Sequence, residues 1–379
     1  MNLTFFCTGR ADWSAVIAMF RLTSGNATSS RVAVCGDWEF VSGEARREGC
    51  TDLVAPLVTV AGNADGGPVA ALARLVTALH AEVEAHPPDC LVLTGDRYEL
   101  LAALAVAVTL RIPIAHISGG ECTFGALDEQ VRHAVTKAAH LHFVANEIFA
   151  HRLRHMGEEA WRIHVTGDPG LDCIPRAEMA SPADLEALLG FKPDRETVLV
   201  AFHPVTNEPS ETWSAWGALA EALEHCEGQV VVTGCNADPQ GDDLRAMQEA
   251  WCRGQARRCF RAHLGQRNFL GLLNAGACLL GNSSAGIWEA PSLGSPAINL
   301  GRRQEGRLRG TNVIDVDEPS AEAVRSALAK ARQPAWRARL LPPENPYGDG
   351  HAAPRIVAVL RHLPPRGELL TKRFTDLKP

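Results

Sequence analysis

Residues 278–291 read CLLGNSSAGIWEAP, a short apolar run that leads into a glycine turn and then a helix-like segment. Short apolar runs alternate with helical segments along most of the chain. This alternation is typical of parallel sheets with right-handed helical crossovers, so we predict an α/β fold. The runs expected to form strands are Leu3–Cys7, Val32–Cys35, Leu57–Val60, Leu91–Thr94, Ile114–Ile117, Leu141–Ala145, Ile163–Thr166, Thr197–Phe202, Val230–Thr233, Cys278–Leu280 and Ala297–Leu300.

The predicted strands fall into two series, which indicates two Rossmann-like, doubly wound domains facing each other across a cleft. We expect the first domain to span residues 1–175 and the second to span 176–345, with a break near the helix Pro182–Leu189. Residues 346–379 should carry a helix, Ala352–Leu363, that packs back toward the first domain. A frayed tail is expected from Pro364 onward. The cleft is the expected binding site.

Composition excludes several classes of protein. The chain has 379 residues and a net charge of −7, which argues against sequence-independent nucleic-acid binding. Its 11 cysteines are odd in number and form no CxxC pair, so we expect neither a disulfide framework nor a zinc site. We find no signal peptide, and no apolar run approaches the roughly 18 residues of a membrane span. A cytoplasmic protein is therefore expected.

Three carboxylates are predicted to gather at one edge of the first sheet. Asp96 and Glu121 each follow a predicted strand, and Asp128 lies on the helix after Glu121. Clustered carboxylates can acquire different pKa values, which provides an acid and a base. Two structural interpretations remain open: Asp96 could cap a helix, and Asp128 could form a surface ion pair with Arg132, four residues away.

Two further turns follow strands and carry polar side chains. A turn at Gly9, with Arg10 beside it, leads into a helix, an arrangement that suits a phosphate group. The same turn could instead be a glycine turn capped by Asp12. His203 follows the first strand of the second series, where it is either a ligand or a loop histidine satisfied by the backbone.

The 281–291 segment carries the strongest signal for a nucleotide. Ser283 and Ser284 offer two hydroxyls beside free backbone N–H groups, a combination that suits a diphosphate. Glu289 would repel phosphate but could accept hydrogen bonds from both hydroxyls of a ribose. Arg303 lies in a cationic loop after the next strand and would face the same phosphates.

Two common nucleotide motifs are missing from the sequence. There is no GxGxxG with a downstream acid on a following strand and no GxxxxGK[ST], so nicotinamide-dependent and Walker-type chemistry are disfavoured. The combination of a nucleotide site in one domain and acidic groups in the other is the layout of a nucleotide-sugar enzyme of the two-Rossmann (GT-B-like) type.

From about Leu91 to Gly350 the chain resembles the UDP-N-acetylglucosamine 2-epimerase family, and within it the hydrolysing branch. That branch makes N-acetylmannosamine for sialic acid or serves related nonulosonic acid pathways. The segments that carry the resemblance are Gly95–Glu99, His116–Glu121, Gly125–Glu129, Arg132–Ala134, Gly167–Asp172, His203–Thr206, Gly281–Pro291, Asn299–Gly301, Arg303–Gln304, Asn312–Val316 and Asn345–Gly350.

The resemblance implies roles for particular residues. It implies that Asp96, Glu121 and Asp128 act at the reacting sugar, with Arg97 and Arg132 near them. It implies that the nucleotide is bound by Arg10, Ser14, His203, Ser283, Ser284, Gly286, Glu289 and Arg303. It also implies a UDP-sugar substrate, no metal, no nicotinamide cofactor, and a homodimer or homotetramer.

The predicted chemistry follows from the weak acidity of the C2 hydrogen of an acetamido sugar. Departure of UDP from C1 would acidify this hydrogen, so that a carboxylate could remove it and form a glycal. Water would then add at C1 and a proton would return to the opposite face of C2, which releases the free manno sugar.

The sequence departs from the family at Cys35–Glu39, where the family commonly has a Gly-x-His-Leu loop facing the sugar. This departure leaves the identity of the 2-acetamido sugar open. The motifs also do not fix the nucleobase, so UDP and GDP both stay open. The alternatives are a non-hydrolysing UDP-N-acetylglucosamine 2-epimerase, a glycosyltransferase, and a nucleotide-sugar-binding protein with altered catalysis.

Overall fold

The computed structural model describes residues 1–23, 29–57, 67–124, 127–174, 179–205, 209–224, 226–235 and 240–376. It contains two compact units. Unit 1 comprises Met1–Cys173 and Tyr347–Pro379, and unit 2 comprises Ile174–Pro346. In the described part of the chain, no helix has both the length and the apolar character that a membrane crossing requires.

Unit 1 is built on a seven-stranded sheet in the order β3-β2-β1-β4-β5-β6-β7, in which every pairing is parallel. Its strands are β1 (Asn2–Cys7), β2 (Ser29–Val34), β3 (Val54–Pro56), β4 (Cys90–Thr94), β5 (Ile114–Ile117), β6 (Leu141–Val144) and β7 (Ile163–Val165). Its first six helices are α1 (Arg10–Thr23), α2 (Trp38–Arg47), α3 (Gly67–Ala85), α4 (Leu100–Thr109), α5 (Leu127–Ala138) and α6 (Glu147–His155).

Unit 2 repeats the same winding with six parallel strands in the order β10-β9-β8-β11-β12-β13. Its strands are β8 (Val198–Ala201), β9 (Val230–Thr233), β10 (Arg258–Arg261), β11 (Cys278–Gly281), β12 (Ala297–Leu300) and β13 (Val313–Val316). Its helices are α7 (Pro182–Leu189), α8 (Pro209–Leu223), α9 (Gly241–Cys252), α10 (Gly265–Asn274), α11 (Ala285–Trp288), α12 (Ala321–Arg332) and α13 (Pro334–Ala338).

The prediction of an α/β fold with two doubly wound, Rossmann-like sheets is confirmed, because both strand orders run outward in two directions from a central pair. Central strands such as β4 and β11 are buried along their whole length, as parallel strands covered by helices on both faces must be. This burial explains why continuous apolar runs marked them in the sequence.

Three edge strands were misjudged from the sequence. β10 reads RCFR and is only partly buried, and β13 was not predicted as a strand either. β10 and β13 bury less surface than the central strands and both contain charged residues, so neither formed an uninterrupted apolar run. The third strand lies at Val54–Pro56 instead of the predicted Leu57–Val60, of which residues 58–60 lie outside the described ones.

The C-terminal segment returns to unit 1 as α14 (Ala352–Leu360) and α15 (Arg366–Leu370). Asp172 caps α14, because its carboxylate accepts hydrogen bonds from the backbone N–H groups of Ala352 (2.9 Å) and Ala353 (2.6 Å). The apolar face of α14 packs against α1, in the same core as Phe5 and Phe143.

The expectation of a frayed tail from Pro364 is wrong for the residues up to 376. The fully buried guanidinium of Arg162 donates hydrogen bonds to the carbonyl oxygens of His140 (3.0 Å), Leu369 (2.9 Å) and Thr371 (2.8 Å). A buried cation requires such partners, so the tail is part of the packed structure rather than an appendage.

A second buried charge cluster fastens the same tail. The carboxylate of Glu158 accepts hydrogen bonds from Lys137 Nζ (2.9 Å), Lys372 Nζ (2.6 Å) and His142 Nε2 (3.0 Å). Burial by itself raises the pKa of Glu158, but the hydrogen bonds from His142 and the lysines outweigh it and lower the pKa to about 2. Glu158 is therefore ionised in the folded protein at any moderate pH.

We expect this cluster to make stability depend on pH. The pKa of Glu158 is lower in the folded chain, so its contribution is complete above the unfolded value of about 4.5 and is lost as the pH falls toward 2. Glu158→Gln should lower the unfolding free energy at pH 7 by on the order of 3 kcal/mol. Urea unfolding at pH 7, 6, 5 and 4 should show this difference shrinking below pH 5.

The matched control is Glu147→Gln, which removes an exposed carboxylate on α6 that pairs with Arg154 at 3.4 Å. It should change stability by less than about 0.5 kcal/mol at every pH. The wild type and Glu158→Gln could instead differ in unfolding free energy by the same amount from pH 7 to pH 4. That result would contradict a stabilising role for the ionised Glu158.

Candidate active site

Both sheets have one pair of neighbouring strands from which the chain winds in opposite directions, the topological switch point at which ligands bind in this fold class. In unit 1 this pair is β1 and β4, and in unit 2 it is β8 and β11. The predicted site residues lie on the loops or helices after these strands and after β5 and β12. They are Arg10, Ser14, Asp96, Arg97, Glu121, Asp128 and Arg132 in unit 1, and His203, Ser283, Ser284, Gly286, Glu289 and Arg303 in unit 2.

Arg132 organises the acidic edge of unit 1. Its side chain is only 3% exposed and forms an ion pair with Asp96. It also donates a hydrogen bond to the Glu121 carbonyl oxygen (3.1 Å) and forms an ion pair with Glu129 (3.1 Å). The structure thus brings together Asp96, the Glu121 segment and α5, which are distant in sequence. The deeply buried guanidinium requires carboxylate partners, and Asp96 and Glu129 provide them.

Glu129 was not singled out from the sequence, yet it holds the loop that follows Glu121. Its carboxylate accepts a hydrogen bond from the Thr123 backbone N–H (2.6 Å) and lies 3.0 Å from His133 Nε2. The sequence did contain a signal for this role. Glu129 precedes Arg132 by three residues and His133 by four, a spacing that places all three side chains on one face of a helix. Asp128 is partly buried in the first turn of α5, and Gly125 and Ala126 lie outside the described residues.

His116 fixes the turn that carries Asp96. Its ring is fully buried, with Nε2 2.9 Å from the Gly95 carbonyl oxygen and Nδ1 3.1 Å from the Thr136 hydroxyl. Burial lowers the pKa of His116 to about 4, so the ring is neutral at pH 7. A carbonyl can only accept, and so Nε2 carries the hydrogen and Nδ1 accepts from the hydroxyl.

Arg97 and Arg10 are exposed arginines at this edge, and each forms an ion pair with an acidic side chain. Arg97 pairs with the buried Glu99 at 2.9 Å. Arg10, which is 65% exposed, lies 3.5 Å from Asp37 and places its guanidinium 4.6 Å from the centre of the Phe40 ring. The loop that departs from the family pattern, which contains Asp37, therefore contacts the arginine expected to meet a phosphate.

Asp12 caps the turn between β1 and α1 from within the helix. Its buried carboxylate accepts hydrogen bonds from the Thr8 backbone N–H (2.7 Å) and the Thr8 hydroxyl (3.1 Å). Burial raises the pKa of Asp12 to about 6 despite these hydrogen bonds. Ser14 follows on α1 and is partly buried.

In unit 2, Asn282 joins three loops at the switch point. Its side-chain oxygen accepts from the His203 N–H (2.7 Å), and its amide donates to the His203 carbonyl (2.8 Å). Its own carbonyl accepts from Gln304 Nε2 (2.9 Å) and Arg303 Nη1 (3.3 Å). A side chain at Gly281, one residue earlier, would overlap the Ala201 carbonyl, so the close approach of β11 to β8 requires glycine.

His203 is held neutral beside this junction. Burial, together with the nearby Arg303 cation, lowers the pKa of His203 to about 4. The position therefore offers an uncharged imidazole at pH 7.

The expected helix after Ser283 and Ser284 is shorter than the sequence indicated. α11 is one turn, Ala285–Trp288, and continues as a 3₁₀ turn, Ala290–Leu293. Its dipole is correspondingly small, so the predicted anion site would depend mainly on hydroxyls, N–H groups and the Arg303 cation. Both serines are partly exposed, as is Glu289, whereas Gly286 is buried against Ala297.

No group of three His, Cys, Asp or Glu side chains in the described ranges is arranged to hold a metal ion. Thr206, the last residue of the His203 segment, lies outside those ranges.

We expect Asn282 to be essential for the order of unit 2. Asn282→Ala would remove both hydrogen bonds that the Asn282 side chain forms with the buried His203 backbone, at a cost of about 2–3 kcal/mol. Tryptophan fluorescence during urea unfolding should show a lower midpoint. Asn282→Asp is a second variant: it keeps an acceptor for the His203 N–H but places a negative charge against the His203 carbonyl oxygen, so its midpoint should also be lower. If Asn282→Ala unfolds at the wild-type midpoint, Asn282 does not hold these loops.

The sequence matches known proteins over most of its length. Residues 53–361 match the family model described as UDP-N-acetylglucosamine 2-epimerase. The chain is 36% identical over 230 residues to a GDP/UDP-N,N'-diacetylbacillosamine 2-epimerase (hydrolyzing) of Campylobacter jejuni, a match that covers 60% of each chain. It is 35% identical over 292 residues to a UDP-N,N'-diacetylbacillosamine 2-epimerase (hydrolyzing) of Legionella pneumophila, covering 76% of this chain and 75% of the relative.

A solved structure shares the fold. The crystal structure of UDP-GlcNAc 2-epimerase from Neisseria meningitidis bound to UDP-GlcNAc superposes with a TM-score of 0.81, at 17% sequence identity. The superposition covers 96% of this chain and all of the other. Taken with the family match, which spans most of the sequence, these similarities show that the chain belongs to the UDP-N-acetylglucosamine 2-epimerase family.

Proposed function

We propose that this protein is a hydrolysing 2-epimerase of a nucleotide-linked 2-acetamido sugar. One observation carries the proposal: at the carboxyl edge of the unit 1 sheet, Asp96 is held by the buried Arg132, which also binds the backbone of Glu121. Such an edge supplies carboxylates that can exchange protons with a substrate. The relatives named above from Campylobacter jejuni and Legionella pneumophila support the same class of reaction.

Unit 2 is the proposed nucleotide-binding half. Ser283, Ser284 and Arg303 would hold the diphosphate, and Glu289 would accept hydrogen bonds from the ribose hydroxyls. The neutral His203 would donate or accept a hydrogen bond without adding charge. Gly286 of α11 completes the set proposed from unit 2. The resemblance to the family also assigns Arg10 and Ser14 to the nucleotide, and it places Arg97 near the reacting sugar. Solved structures of the same fold contain UDP or UDP-GlcNAc, which supports a nucleotide sugar as the ligand.

The first chemical step would break the bond between C1 of the sugar and the phosphate oxygen. The oxygen leaves with the electron pair, and the positive charge that develops at C1 acidifies the hydrogen at C2. A carboxylate takes that proton while the C–H electrons form the C1–C2 double bond of a glycal. Hydrogen-bond donors and the Arg303 cation would stabilise the departing diphosphate.

The second step would hydrate the glycal. Water adds its oxygen to C1 and gives up one proton to the enzyme, while C2 receives a proton on the opposite face. The products are the nucleoside diphosphate and a free sugar inverted at C2. Asp96, Glu121 and Asp128 are the proposed groups for these proton transfers and for stabilising the cation at C1.

Two observations favour hydrolysis over release of an epimerised nucleotide sugar. The Asp96-Arg97 and Gly119-Gly120-Glu121 motifs resemble the hydrolysing branch. The two relatives at 35–36% identity carry "hydrolyzing" in their names.

The proposed substrate is UDP-linked N,N'-diacetylbacillosamine, the sugar named for those two relatives. UDP-N-acetylglucosamine is the second candidate, because a 33% identical relative from Neisseria meningitidis is named UDP-N-acetylglucosamine 2-epimerase. The Arg10–Asp37 contact marks where this chain departs from the family pattern on the sugar side, so discrimination between the two sugars is expected to depend on that loop.

Proton NMR in D₂O tests the reaction directly. The protein is incubated separately with UDP-N,N'-diacetylbacillosamine and UDP-N-acetylglucosamine. We expect free UDP and a free manno sugar that carries deuterium at C2, because the returning proton comes from solvent. A UDP-linked manno sugar without free UDP would indicate the non-hydrolysing reaction, and binding without any exchange at C2 would indicate a non-catalytic protein.

Asp96→Asn tests the acidic edge. It keeps the shape of the side chain but removes the charge that faces Arg132, so turnover should fall at least 100-fold. The affinity for UDP should stay within twofold of the wild type, as measured by isothermal titration calorimetry. The control is Asp52→Asn, which changes an exposed carboxylate of the same unit. Wild-type turnover in Asp96→Asn would remove Asp96 from the mechanism.

A further inference from the structure

We propose that Arg152 is a positioning residue that holds the carboxylate of Glu121 in place through the backbone of the glycine turn before it. The role rests on the proposed function, because it concerns one of the three proposed acid–base groups. Arg152 lies on α6, after the strand next to β5 in the sheet, and nothing in its sequence position marks it.

The contact is between a guanidinium and a backbone carbonyl. Arg152 Nη1 donates a hydrogen bond to the Gly120 carbonyl oxygen at 2.8 Å, 32 residues away in sequence. The next carbonyl, that of Glu121, accepts a hydrogen bond from Arg132 Nη1 at 3.1 Å. Two successive peptide carbonyls are thus held by two arginines from two different helices, α6 and α5. The backbone on both sides of the Glu121 Cα is fixed as a result.

The turn is also pressed against α6. Gly120 has a φ of +77°, and a Cβ at this position would lie 2.6 Å from Leu153 Cδ1 and 2.7 Å from the Phe149 carbonyl oxygen. Glycine is required there on both grounds. The hydrogen bond from Arg152 therefore acts on a backbone that already fits closely against the same helix.

α6, which carries Arg152, is itself held in place by a capped first turn and by buried side chains. Its first turn is capped by Asn146, whose side-chain oxygen accepts hydrogen bonds from the N–H groups of Ile148 (3.1 Å) and Phe149 (3.2 Å). Phe149 and Leu153 are buried in unit 1. The Arg152 guanidinium also lies 5.4 Å from the centre of the Phe149 ring, within the range of a cation–π contact.

The consequence concerns the side chain of Glu121. It is 4% exposed, so its orientation follows the backbone that delivers it. Loss of the Arg152 contact would remove the hydrogen bond that orients the Gly120 carbonyl, so the peptide before Glu121 would shift and misplace the carboxylate. Displacement of an acid–base group by about 1 Å can cost on the order of 100-fold in rate. No residue of the Gly119–Glu121 turn is proposed to bind the nucleotide, so the affinity for UDP should not change.

Kinetics of Arg152→Met with the nucleotide sugar turned over by the wild type provide the first test. We expect kcat to fall 10- to 100-fold, with KM and the affinity for UDP within twofold of the wild type. Arg152→Lys keeps one donor toward the carbonyl and should recover part of the lost kcat. Arg154→Met is the control, since Arg154 lies on the same helix and pairs only loosely with the exposed Glu147. It should leave kcat unchanged.

Hydrogen–deuterium exchange provides a second test that needs no turnover. In the wild type the Ser118 N–H is bonded to the Phe143 carbonyl (3.1 Å), and the Thr123 N–H is bonded to Glu129. Arg152→Met should speed exchange in peptides that cover residues 118–123 at least tenfold, whereas Arg154→Met should not. If Arg152→Met does not fold, Arg152→Gln and Arg152→Lys take its place in both tests.

Three outcomes would overturn the inference. One is a wild-type kcat in Arg152→Met, and another is a loss of UDP affinity in step with the loss of activity, which would make Arg152 a substrate ligand. The third is unchanged exchange at residues 118–123. If the wild type itself turns over no nucleotide sugar, the proposed function fails, and the exchange experiment still decides whether Arg152 holds the turn.

Discussion

The structure depends on the parallel pairing of every strand in its two sheets. Parallel strands must all end at one edge, so the loops that follow them are brought together regardless of their distance in sequence. In unit 1 the chain winds outward in opposite directions from β1 and β4, and in unit 2 it does so from β8 and β11. This winding leaves a gap between the helices at each switch point. The predicted site residues lie in the turns and helices after these strands and after the neighbouring β5 and β12.

The loops at the carboxyl edge of each sheet are joined by buried polar side chains, but the chemistry of these side chains differs between the two units. In unit 1, buried charge joins the loops, because Arg132 is compensated by Asp96 and by Glu129. In unit 2, a neutral amide joins them: Asn282 exchanges hydrogen bonds with His203, whose imidazole is also neutral at pH 7. A carboxylate at the second junction would repel a diphosphate, whereas carboxylates at the first are the reagents that proton transfer requires. This difference is consistent with the proposed function, which assigns proton transfer to unit 1 and the phosphorylated ligand to unit 2.

The end of the chain completes unit 1 instead of trailing from it. The tail supplies carbonyl oxygens to the buried Arg162 and an ammonium group, from Lys372, to the buried Glu158. Each of these charges would be costly without its partner. Unit 1 thus relies on residues from both ends of the sequence, while the whole of unit 2 lies between them.

The sequence by itself determined the class of fold and the family. Central parallel strands are buried by helices on both faces and are therefore mostly apolar, so the bounds of Ile114–Ile117, Val230–Thr233 and Ala297–Leu300 could be predicted to the residue. The edge strand Arg258–Arg261 could not, because it buries too little surface to leave a pattern. Sequence motifs indicated Asp96 and Glu121 as candidate acid–base residues, but only the tertiary structure shows which side chains contact them. Hydrogen bonds and ion pairs between residues tens of positions apart, such as those of Arg132 and Arg152, arise from strand order and helix packing, which no local pattern records.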